Sequence, residues 1–421
     1  MTPPLPLKTL LLGLKLPQET QKWTCLDSIQ ELSQLAKTAG LVVHDSLIQA
    51  RDTPHPRSYV GEGKVQEIKQ QVQDQGIQLI ITDDELSPSQ QKNLESELNI
   101  KVLDRTGLIL DIFAQRARTA EAQLQVELAQ LDYLLPRLTR LWTHLSRLGG
   151  GIGTRGPGET QLETDKRQIK ERISTLQKKL KKTQRHREVL RQNRDNIPMI
   201  SGAIIGYTNA GKSTLINALT AAHTLAENAL FATLDPTTKH WALPNKDQVL
   251  LTDTVGFIQK LPTQLITSFR ATLEEVCNAH FLLHVVDASN PKFPVLIETT
   301  QALLKELKAD TLPQIYVFNK RDQVQNEASL NLLLAHYTPH VLISAQNPLD
   351  MKLLENAMVT FLQKEHTTIN LTLPFSKMTI LNLFHLYGRV LEETYTEHGV
   401  DIKVDIHADI GSKIMAILEA L

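Results

Sequence analysis

The chain has 421 residues, a formal net charge of −1 and 41% hydrophobic residues. This length predicts roughly two to four domains, and the near-neutral charge excludes a surface that is basic throughout. The 2 cysteines lie far apart in sequence, so we expect neither a disulfide framework nor a zinc site. The apolar run 5–16 is too short and too charged to span a bilayer, and a first strand is expected there. We therefore expect a cytoplasmic protein, outside the membrane and monomeric.

The first 110 residues alternate between strand-like and helix-like patterns. Apolar runs predict strands at 7–14, 41–48, 79–82 and 100–103. Helical patterns separate them at 26–39, 64–75 and 88–98. Because strands that alternate with helices form parallel sheets, residues 1–110 are predicted to form an α/β domain.

A helical hairpin is predicted over residues 111–197. The first helix carries apolar residues at alternating spacings of four and three: Leu124, Leu128, Leu131, Leu135, Leu138, Trp142 and Leu145. A looser version of this pattern at 162–190 predicts an antiparallel partner. Pro136 lies inside the first helix and is expected to kink or interrupt it.

The glycine-rich turn 149–159 reads GGGIGTRGPGE. Its GxGxxG spacing follows a helix instead of a strand, so it does not predict a dinucleotide site. A flexible linker is one interpretation. A mere spacer does not need the arginine, proline and glutamate that this loop contains, so a functional tip is favoured. The second helix is strongly basic, which indicates contact with RNA or, alternatively, a solvated face. The candidate RNA-binding residues are Gly149, Gly150, Gly151, Gly153, Thr154, Arg155, Gly156, Lys166, Arg167 and Lys170.

A phosphate-binding loop is predicted from 206 to 213, where GYTNAGKS fits the pattern GxxxxGK[ST]. A strand-like run at 199–205 precedes it, and a helical run at 213–220 follows it. Backbone N–H groups of such a loop cradle a polyphosphate. Lys212 is predicted to reach the β- and γ-phosphates, and Ser213 to hold Mg²⁺.

Three later motifs specify the base. Strand-like runs at 249–251, 315–318 and 341–343 end in DTVGF, NKRD and Ser344-Ala345. Asp253 is expected near Mg²⁺, and Gly256 can offer its N–H to a γ-phosphate. A carboxylate at Asp322 can accept the ring N–H and the exocyclic amine of guanine, which adenine does not offer in that arrangement. Residues 198–364 are therefore predicted to form a GTP-binding domain with a doubly wound sheet.

The predicted GTP contacts share these loops at the strand ends. They are Gly206, Tyr207, Thr208, Asn209, Ala210, Gly211, Lys212, Ser213, Thr214, Phe231, Thr233, Asp253, Thr254, Gly256, Asn319, Lys320, Asp322, Ser344 and Ala345. Residues 365–421 carry two strand candidates around a helix at 378–392 and predict a small α+β domain.

Several strings in the chain resemble the HflX family of GTPases: LDRTGLILDIFA at 103–114, LQVELAQL at 124–131, GTRGPGETQLETDKR at 153–167, FATLDPT at 231–237 and DTVGFI at 253–258. The likeness covers most of the chain and is weaker beyond residue 365. It implies a GTPase that binds the large ribosomal subunit and splits or rescues stalled ribosomes under stress. It further implies that the hairpin tip reaches ribosomal RNA.

The predicted hydrolytic residues are Lys212, Thr233, Gly256 and Asn209, with Ser213, Thr233 and Asp253 as the Mg²⁺ ligands. Thr237 is the second choice for the switch threonine. Phe257 occupies the position where many signalling GTPases carry a water-orienting glutamine, so slow intrinsic hydrolysis is expected. Asn209 either holds K⁺ near the phosphates or only caps a turn. Two other functions remain open: an RNA-binding GTP switch with little hydrolysis, and a GTPase in RNA modification.

Overall fold

The computed structural model describes residues 7–17, 22–141, 157–195, 199–220, 230–231, 237–245, 247–260 and 275–420. The chain forms two compact units. The first comprises Met1–Thr183, Ala229–Asp235 and Ile258–Arg270, and the second comprises Gln184–Asn228, Pro236–Phe257 and Ala271–Leu421.

The first unit begins with a parallel α/β sheet in the order β2-β1-β3-β4. Its strands are β1 (Lys8–Lys15), β2 (Val42–Ala50), β3 (Leu79–Thr82) and β4 (Lys101–Asp104), and its helices are α1 (Cys25–Thr38), α2 (Glu62–Gln75) and α3 (Pro88–Leu98). Capping boxes at Thr24 and Ser87 start α1 and α3. The hydroxyl of each residue accepts a hydrogen bond from a backbone N–H of the first turn that has no partner within the helix. The predicted parallel α/β architecture is confirmed.

Three further helices follow: α4 (Arg105–Arg116), α5 (Ala120–Leu141) and α6 (Pro157–Asp195). Helices α5 and α6 pack together along the predicted seam, where Leu128, Leu176 and Leu180 form a buried cluster; their antiparallel direction stays a prediction. Of the two expectations for Pro136, the interruption is wrong, since α5 continues through it, and the kink stays a prediction. Helix α6 begins at Pro157, so residues 157–159 of the predicted turn are helical, while residues 149–156 lie outside the described residues. Helix α4 was not predicted because its apolar residues lack a clear helical spacing.

The second unit is built on a sheet in the order β10-β9-β8-β5-β7-β6. All of its neighbouring strands run parallel except β6 and β7, which pair antiparallel. Its elements are β5 (Ile200–Gly206), α7 (Lys212–Leu219), β6 (Thr237–Ala242), β7 (Gln248–Asp253), β8 (Phe281–Asp287), α8 (Phe293–Glu306), β9 (Gln314–Asn319), α9 (Glu327–Leu334), β10 (His340–Leu342) and α10 (Pro348–Gln363). Continuous apolar runs suit β5 and β8 because both faces of a doubly wound sheet are covered.

The chain ends in an antiparallel sheet in the order β11-β13-β12. It contains β11 (His366–Leu373), α11 (Met378–Tyr387), β12 (Arg389–Thr396), β13 (Gly399–His407) and α12 (Ala408–Ala420). The prediction of a helix as far as residue 392 is wrong, because α11 ends at Tyr387 and a strand follows. Pairing of Val390 with Val404 decides this, since tertiary contacts override local helix propensity.

No helix in the described parts of the chain is long and apolar enough to cross a membrane.

Candidate functional site

The turn between β5 and α7 has a backbone that only certain residues tolerate. Asn209 has φ 61° and Gly211 has φ 94°. A Cβ atom added at Gly211 would lie 2.2 Å from Asn319 Nδ2, so a larger residue would collide there. The loop therefore places its backbone at the amino end of a helix, where N–H groups and the helix dipole favour a bound anion.

Lys212 opens α7 and is buried, with 7% of its surface exposed. Its Nζ donates to the carbonyl oxygens of Gly206 at 3.1 Å and Tyr207 at 2.8 Å. Burial lowers the pKa of Lys212 to about 8, although Asp253 acts in the opposite direction. A phosphate beside Lys212 would favour the charged ammonium and so offset the effect of burial on its pKa.

The oxygen atoms next to the loop fit a Mg²⁺ ion. Ser213 Oγ donates to Asp253 Oδ2 at 3.0 Å, so a hydroxyl and a carboxylate already adjoin each other. These are oxygen ligands of the kind that Mg²⁺ prefers. Thr208 Oγ1 is buried and has no hydrogen-bond partner among the described residues. Since buried polar groups are normally satisfied, this hydroxyl indicates a place for a ligand.

The DTVGF segment is joined to the loop by its backbone. Phe257 N donates to Gly206 O at 3.1 Å, and Thr208 N donates to Phe257 O at 2.8 Å. A Cβ atom at Gly256 would lie 2.9 Å from Lys212 Nζ, so this position leaves no room for a side chain beside the ammonium. The Phe257 side chain is 2% exposed and packs in an apolar cluster with Ala203 and Ile205. It cannot orient a water molecule from that position.

The base-recognition motifs meet through Asn319. Its Nδ2 donates to Ala210 O at 3.0 Å, and its Oδ1 accepts from Ala345 N at 2.9 Å. One side chain thus links the phosphate loop to the Ser344-Ala345 turn. Asp322 lies in a short 3-10 helix, Arg321–Gln323, and is exposed. Its carboxylate is accessible for a base.

Three more of the predicted GTP contacts lie in the second unit, and one lies in the first. Thr254 is 1% exposed, and its Oγ1 donates to Ile204 O at 2.6 Å. Thr214 lies in the first turn of α7. Lys320 has φ 63°, and its Nζ donates to Asp287 Oδ2 at 2.7 Å. Phe231 belongs to the first unit, where its ring packs edge-on against Phe113 at 4.7 Å between centroids.

Thr233 and the predicted tip residues, Gly149, Gly150, Gly151, Gly153, Thr154, Arg155 and Gly156, lie outside the described residues. Thr237, the second choice for the switch threonine, is exposed at the start of β6, where it is paired with Asp253 of β7.

Three residues of this edge had not been identified from the sequence. Asp287 ends β8 and anchors Lys320, and Asp350 Oδ2 accepts from Ser344 N at 2.7 Å. His284, also in β8, is buried, and its Nδ1 has no hydrogen-bond partner among the described residues. Burial, with Lys212 second, lowers the pKa of His284 to about 3, so the ring is neutral. The apolar run before Asp287 could have revealed this strand end.

A second polar edge occurs in the first unit, beyond the carboxyl ends of β3 and β4. Arg105 is 1% exposed and forms ion pairs with Glu31 and with Asp83, the latter at 2.7 Å. Nearby, Asp104 accepts from Tyr133 Oη at 2.8 Å and from the Arg137 guanidinium at 3.0 Å. A charged residue in the sequence does not by itself show that folding will bury it, so this edge was not predicted.

Helix α6 presents an exposed basic face. Its exposed cations are Arg167, Lys170, Arg172, Lys178, Lys179, Lys181, Lys182 and Arg185, with Lys166 half-buried. The helix has 39 residues and spans about 58 Å at 1.5 Å per residue. Arg172 is paired with Glu127 of α5 at 2.7 Å. The remaining charge is concentrated enough to attract a phosphate backbone.

Three family models match the chain in succession: a GTP-binding GTPase N-terminal model at residues 26–114, a GTP-binding GTPase middle-region model at 116–194, and a 50S ribosome-binding GTPase model at 201–320. The chain is 45% identical to the GTPase HflX of Caldanaerobacter subterraneus over 92% of this chain and 89% of that protein. It is 42% identical to the GTPase HflX of Escherichia coli over 89% of this chain and 88% of that protein. Among solved structures, it is similar to a GTP-binding protein from Sulfolobus solfataricus in complex with GDP, at 26% identity and a TM-score of 0.46, covering 84% of this chain and 98% of that one.

Proposed function

The chain belongs to the HflX family of GTPases, and from this premise we propose that it couples GTP hydrolysis to binding of the large ribosomal subunit. The finer role is to split or rescue stalled ribosomes under stress. The observation that carries the proposal is the exposed basic face of α6, in a chain whose formal net charge is only −1. Charge concentrated on one long helix suits the phosphate backbone of structured RNA.

The chemistry is assigned to the residues around the phosphate loop. Lys212 neutralises charge that builds up on the β- and γ-phosphates as the bond to the γ-phosphate breaks. The N–H of Gly256 donates to a γ-phosphate oxygen, and Asp322 selects guanine by accepting two N–H groups. Because interactions made at the developing charge accelerate the chemical step, Lys212 should contribute to the rate and not only to binding.

Two cations complete the proposed site. Ser213 and Asp253 hold Mg²⁺, with Thr233 as the switch ligand, and the ion neutralises charge on the phosphate oxygens when bound. Asn209 is exposed on the loop and holds K⁺ beside the phosphates. Hydrolysis should then be faster in K⁺ than in Na⁺ at equal ionic strength. Equal rates in the two salts would contradict the role of Asn209.

The ribosome role is tested by co-sedimentation of the whole chain with purified 50S subunits in a GTP analogue and in GDP. We expect binding in the analogue, weakened by charge reversal of Lys178→Glu with Lys182→Glu. The matched control is Lys352→Glu with Lys364→Glu, which reverses two exposed lysines, one within α10 and one that caps its C-terminal end. Equal loss in both double variants, or binding that ignores the nucleotide, would refute the proposal.

A second candidate is an RNA-binding switch in which GTP sets the conformation and is hydrolysed only slowly. The burial of Phe257 favours it, because no glutamine follows Gly256 to orient water. Turnover measured with and without 50S subunits separates the two functions. Strong stimulation supports the ribosome-coupled enzyme, and an unchanged slow rate supports the switch.

A further inference from the structure

The Ser344-Ala345 turn of the second unit is held by side chains instead of by the sheet. The strand that leads into it is held through its backbone, because Ile343 N donates to a carbonyl oxygen of β9 at 2.8 Å. The N–H of Ser344 donates to Asp350 Oδ2 at 2.7 Å. The N–H of Ala345 donates to Asn319 Oδ1 at 2.9 Å. The shape of this predicted base contact therefore depends on two side-chain oxygens.

Asp350 lies in the first turn of α10, three residues after the cap residue Asn347. In a capping box, an acid at this position would accept from the backbone N–H of the cap residue. Here the N–H of Asn347 donates to Ser344 O at 2.9 Å, and the Asn347 side chain accepts from Leu349 N at 3.1 Å. The start of the helix is thus capped by Asn347, and the carboxylate of Asp350 reaches back to the turn.

Burial makes the bond between Asp350 and Ser344 important. The two residues are 7% and 6% exposed, and a buried N–H that loses its acceptor is costly. The second oxygen of Asp350 lies 3.9 Å from Arg321 Nη1, but the Arg321 side chain is 42% exposed and makes shorter contacts to Glu327, at 2.8 and 3.0 Å. A distant pair with an exposed arginine contributes little, so the hydrogen bond to Ser344 is the stronger contact of Asp350.

The phosphate loop is joined to the NKRD motif by a contact that does not involve Asp350. Asn319 Nδ2 donates to Ala210 O at 3.0 Å, and it packs so closely on Gly211 that an added Cβ atom would lie 2.2 Å away. All of these residues belong to the second unit. Removal of the Asp350 carboxylate should therefore release the turn at Ser344 and leave the phosphate loop in place.

We propose that Asp350 is a positioning residue for the guanine base, which holds the Ser344-Ala345 turn in one conformation before the nucleotide binds. Because a pocket that is already ordered loses little conformational freedom on binding, it binds its ligand more tightly. Asp350 acts through the turn. This inference rests on the guanine recognition proposed above for Asp322.

The test measures how well GDP, inosine diphosphate and magnesium pyrophosphate displace fluorescent GDP from the full chain. Pyrophosphate reports on the phosphate loop alone. Inosine diphosphate lacks only the exocyclic amine of guanine, so the ratio of the GDP affinity to the inosine diphosphate affinity reports on Asp322. Asp350→Ala should weaken both nucleotides about tenfold, with this ratio and the affinity for pyrophosphate unchanged.

Two further variants separate the hydrogen bond from the charge of Asp350. Asp350→Asn should keep both nucleotide affinities within about threefold of the parent chain, because its amide oxygen can still accept from Ser344 N. Glu327→Ala is the matched control, since it removes a carboxylate that pairs with the same Arg321 and is 42% exposed. It should change none of the affinities.

Equal losses for all three ligands in Asp350→Ala would indicate a general structural defect and would overturn the proposal. Unchanged nucleotide affinities, or a changed ratio between GDP and inosine diphosphate, would overturn it too. The same holds for a tenfold loss in Asp350→Asn or Glu327→Ala, because charge and not the bond to Ser344 would then be responsible. A parent chain that binds GDP and inosine diphosphate equally would instead contradict guanine recognition by Asp322. The failures of the two proposals are therefore distinguishable.

Discussion

The six-stranded sheet and the four-stranded sheet both place polar side chains just beyond the carboxyl ends of parallel strands. In the six-stranded sheet the edge keeps accessible groups: Asp322 is exposed, and the buried Thr208 Oγ1 has no partner among the described residues. In the four-stranded sheet, the carboxylates of Asp83 and Asp104 each accept several bonds from side chains of the same unit. The same topology thus forms a ligand site in one case and an internal network in the other.

The difference teaches that a strand edge binds a ligand only where the fold leaves its polar groups to be satisfied from outside. Substitutions in the two edges should then differ in what they disturb. A change at the internally paired edge should cost stability, whereas a change at the accessible edge should cost nucleotide binding or turnover.

The largest effect on stability is expected for Arg105→Leu. Removing the guanidinium leaves Glu31 and Asp83 buried without their shared cation, which should lower the free energy of unfolding by about 3–5 kcal/mol. Denaturant unfolding followed by circular dichroism measures it, and GDP affinity should be unchanged. Arg57→Gln is the control, since Arg57 pairs with Glu97 at 3.2 Å with its side chain 63% exposed, and should cost less than about 1 kcal/mol. Similar losses in both variants would contradict the comparison.

At the accessible edge, Lys212→Ala should lower kcat about 10²–10³-fold, because a positioned cation stabilises charge that develops in the transition state. Stability without nucleotide should not fall, since burial already disfavours this ammonium and lowers its pKa to about 8. Single-turnover hydrolysis and thermal unfolding measure the two quantities. Lys308→Ala should change neither one. A stability loss as large as that of Arg105→Leu would show that Lys212 is mainly structural.

A smaller and sharper contrast lies between two buried threonines of the second unit. Thr254→Val removes the bond from Oγ1 to Ile204 O and should destabilise the protein by about 1–3 kcal/mol. Thr208→Val removes a hydroxyl that has no partner in the described parts of the chain, so stability should be kept or raised. Nucleotide affinity should fall in Thr208→Val if the hydroxyl meets the ligand. Equal destabilisation by both changes would mean that Thr208 is already satisfied.

The smallest effect is a pH dependence near the C-terminal sheet. Burial disfavours charged His366, but Asp247 and Asp405, each 3.4 Å away, outweigh it and raise the pKa of His366. The stabilisation that accompanies a raised pKa is fully present below the unfolded pKa of about 6.5. It is lost as the pH rises through the higher folded pKa. His366→Gln should therefore destabilise more at pH 5.5 than at pH 9.

His407 provides the opposite case, because burial lowers its pKa despite the attraction of Asp409. His407→Gln should become more stable relative to the parent chain as the pH falls below about 6.5. Thermal unfolding across this range measures both variants. Parallel pH profiles for the two variants would contradict the assignment.

Much of the fold was predictable because its signals are local. The strand at Leu79–Thr82 and the helix at Pro88–Leu98 have the predicted bounds, since a short apolar run and a capped helix are both set by neighbouring residues. The part of β12 between Arg389 and Glu392 was not predictable, because it forms a strand by pairing with β13, which begins only at Gly399. Long-range pairing cannot be read from a local window.

The candidate site shows the same division. GYTNAGKS, DTVGF and NKRD each indicate their chemistry, because a close backbone approach or a fixed charge requires those residue types. Their junction through Asn319, and the pairing of the buried His284 in β8 with β5, depend on which strands become neighbours. The sequence holds no periodic signal for either.

By itself, the sequence determined the family of this chain, the loops that carry the nucleotide chemistry and the basic helix. Each depends on residue types at short, fixed spacings. Only the tertiary structure decided that Asp83 and Asp84 receive Lys260, which is 177 and 176 residues away from them in sequence. The physical reason is burial: a carboxylate that folding removes from water needs a cation, and which cation reaches it depends on the packing of distant segments.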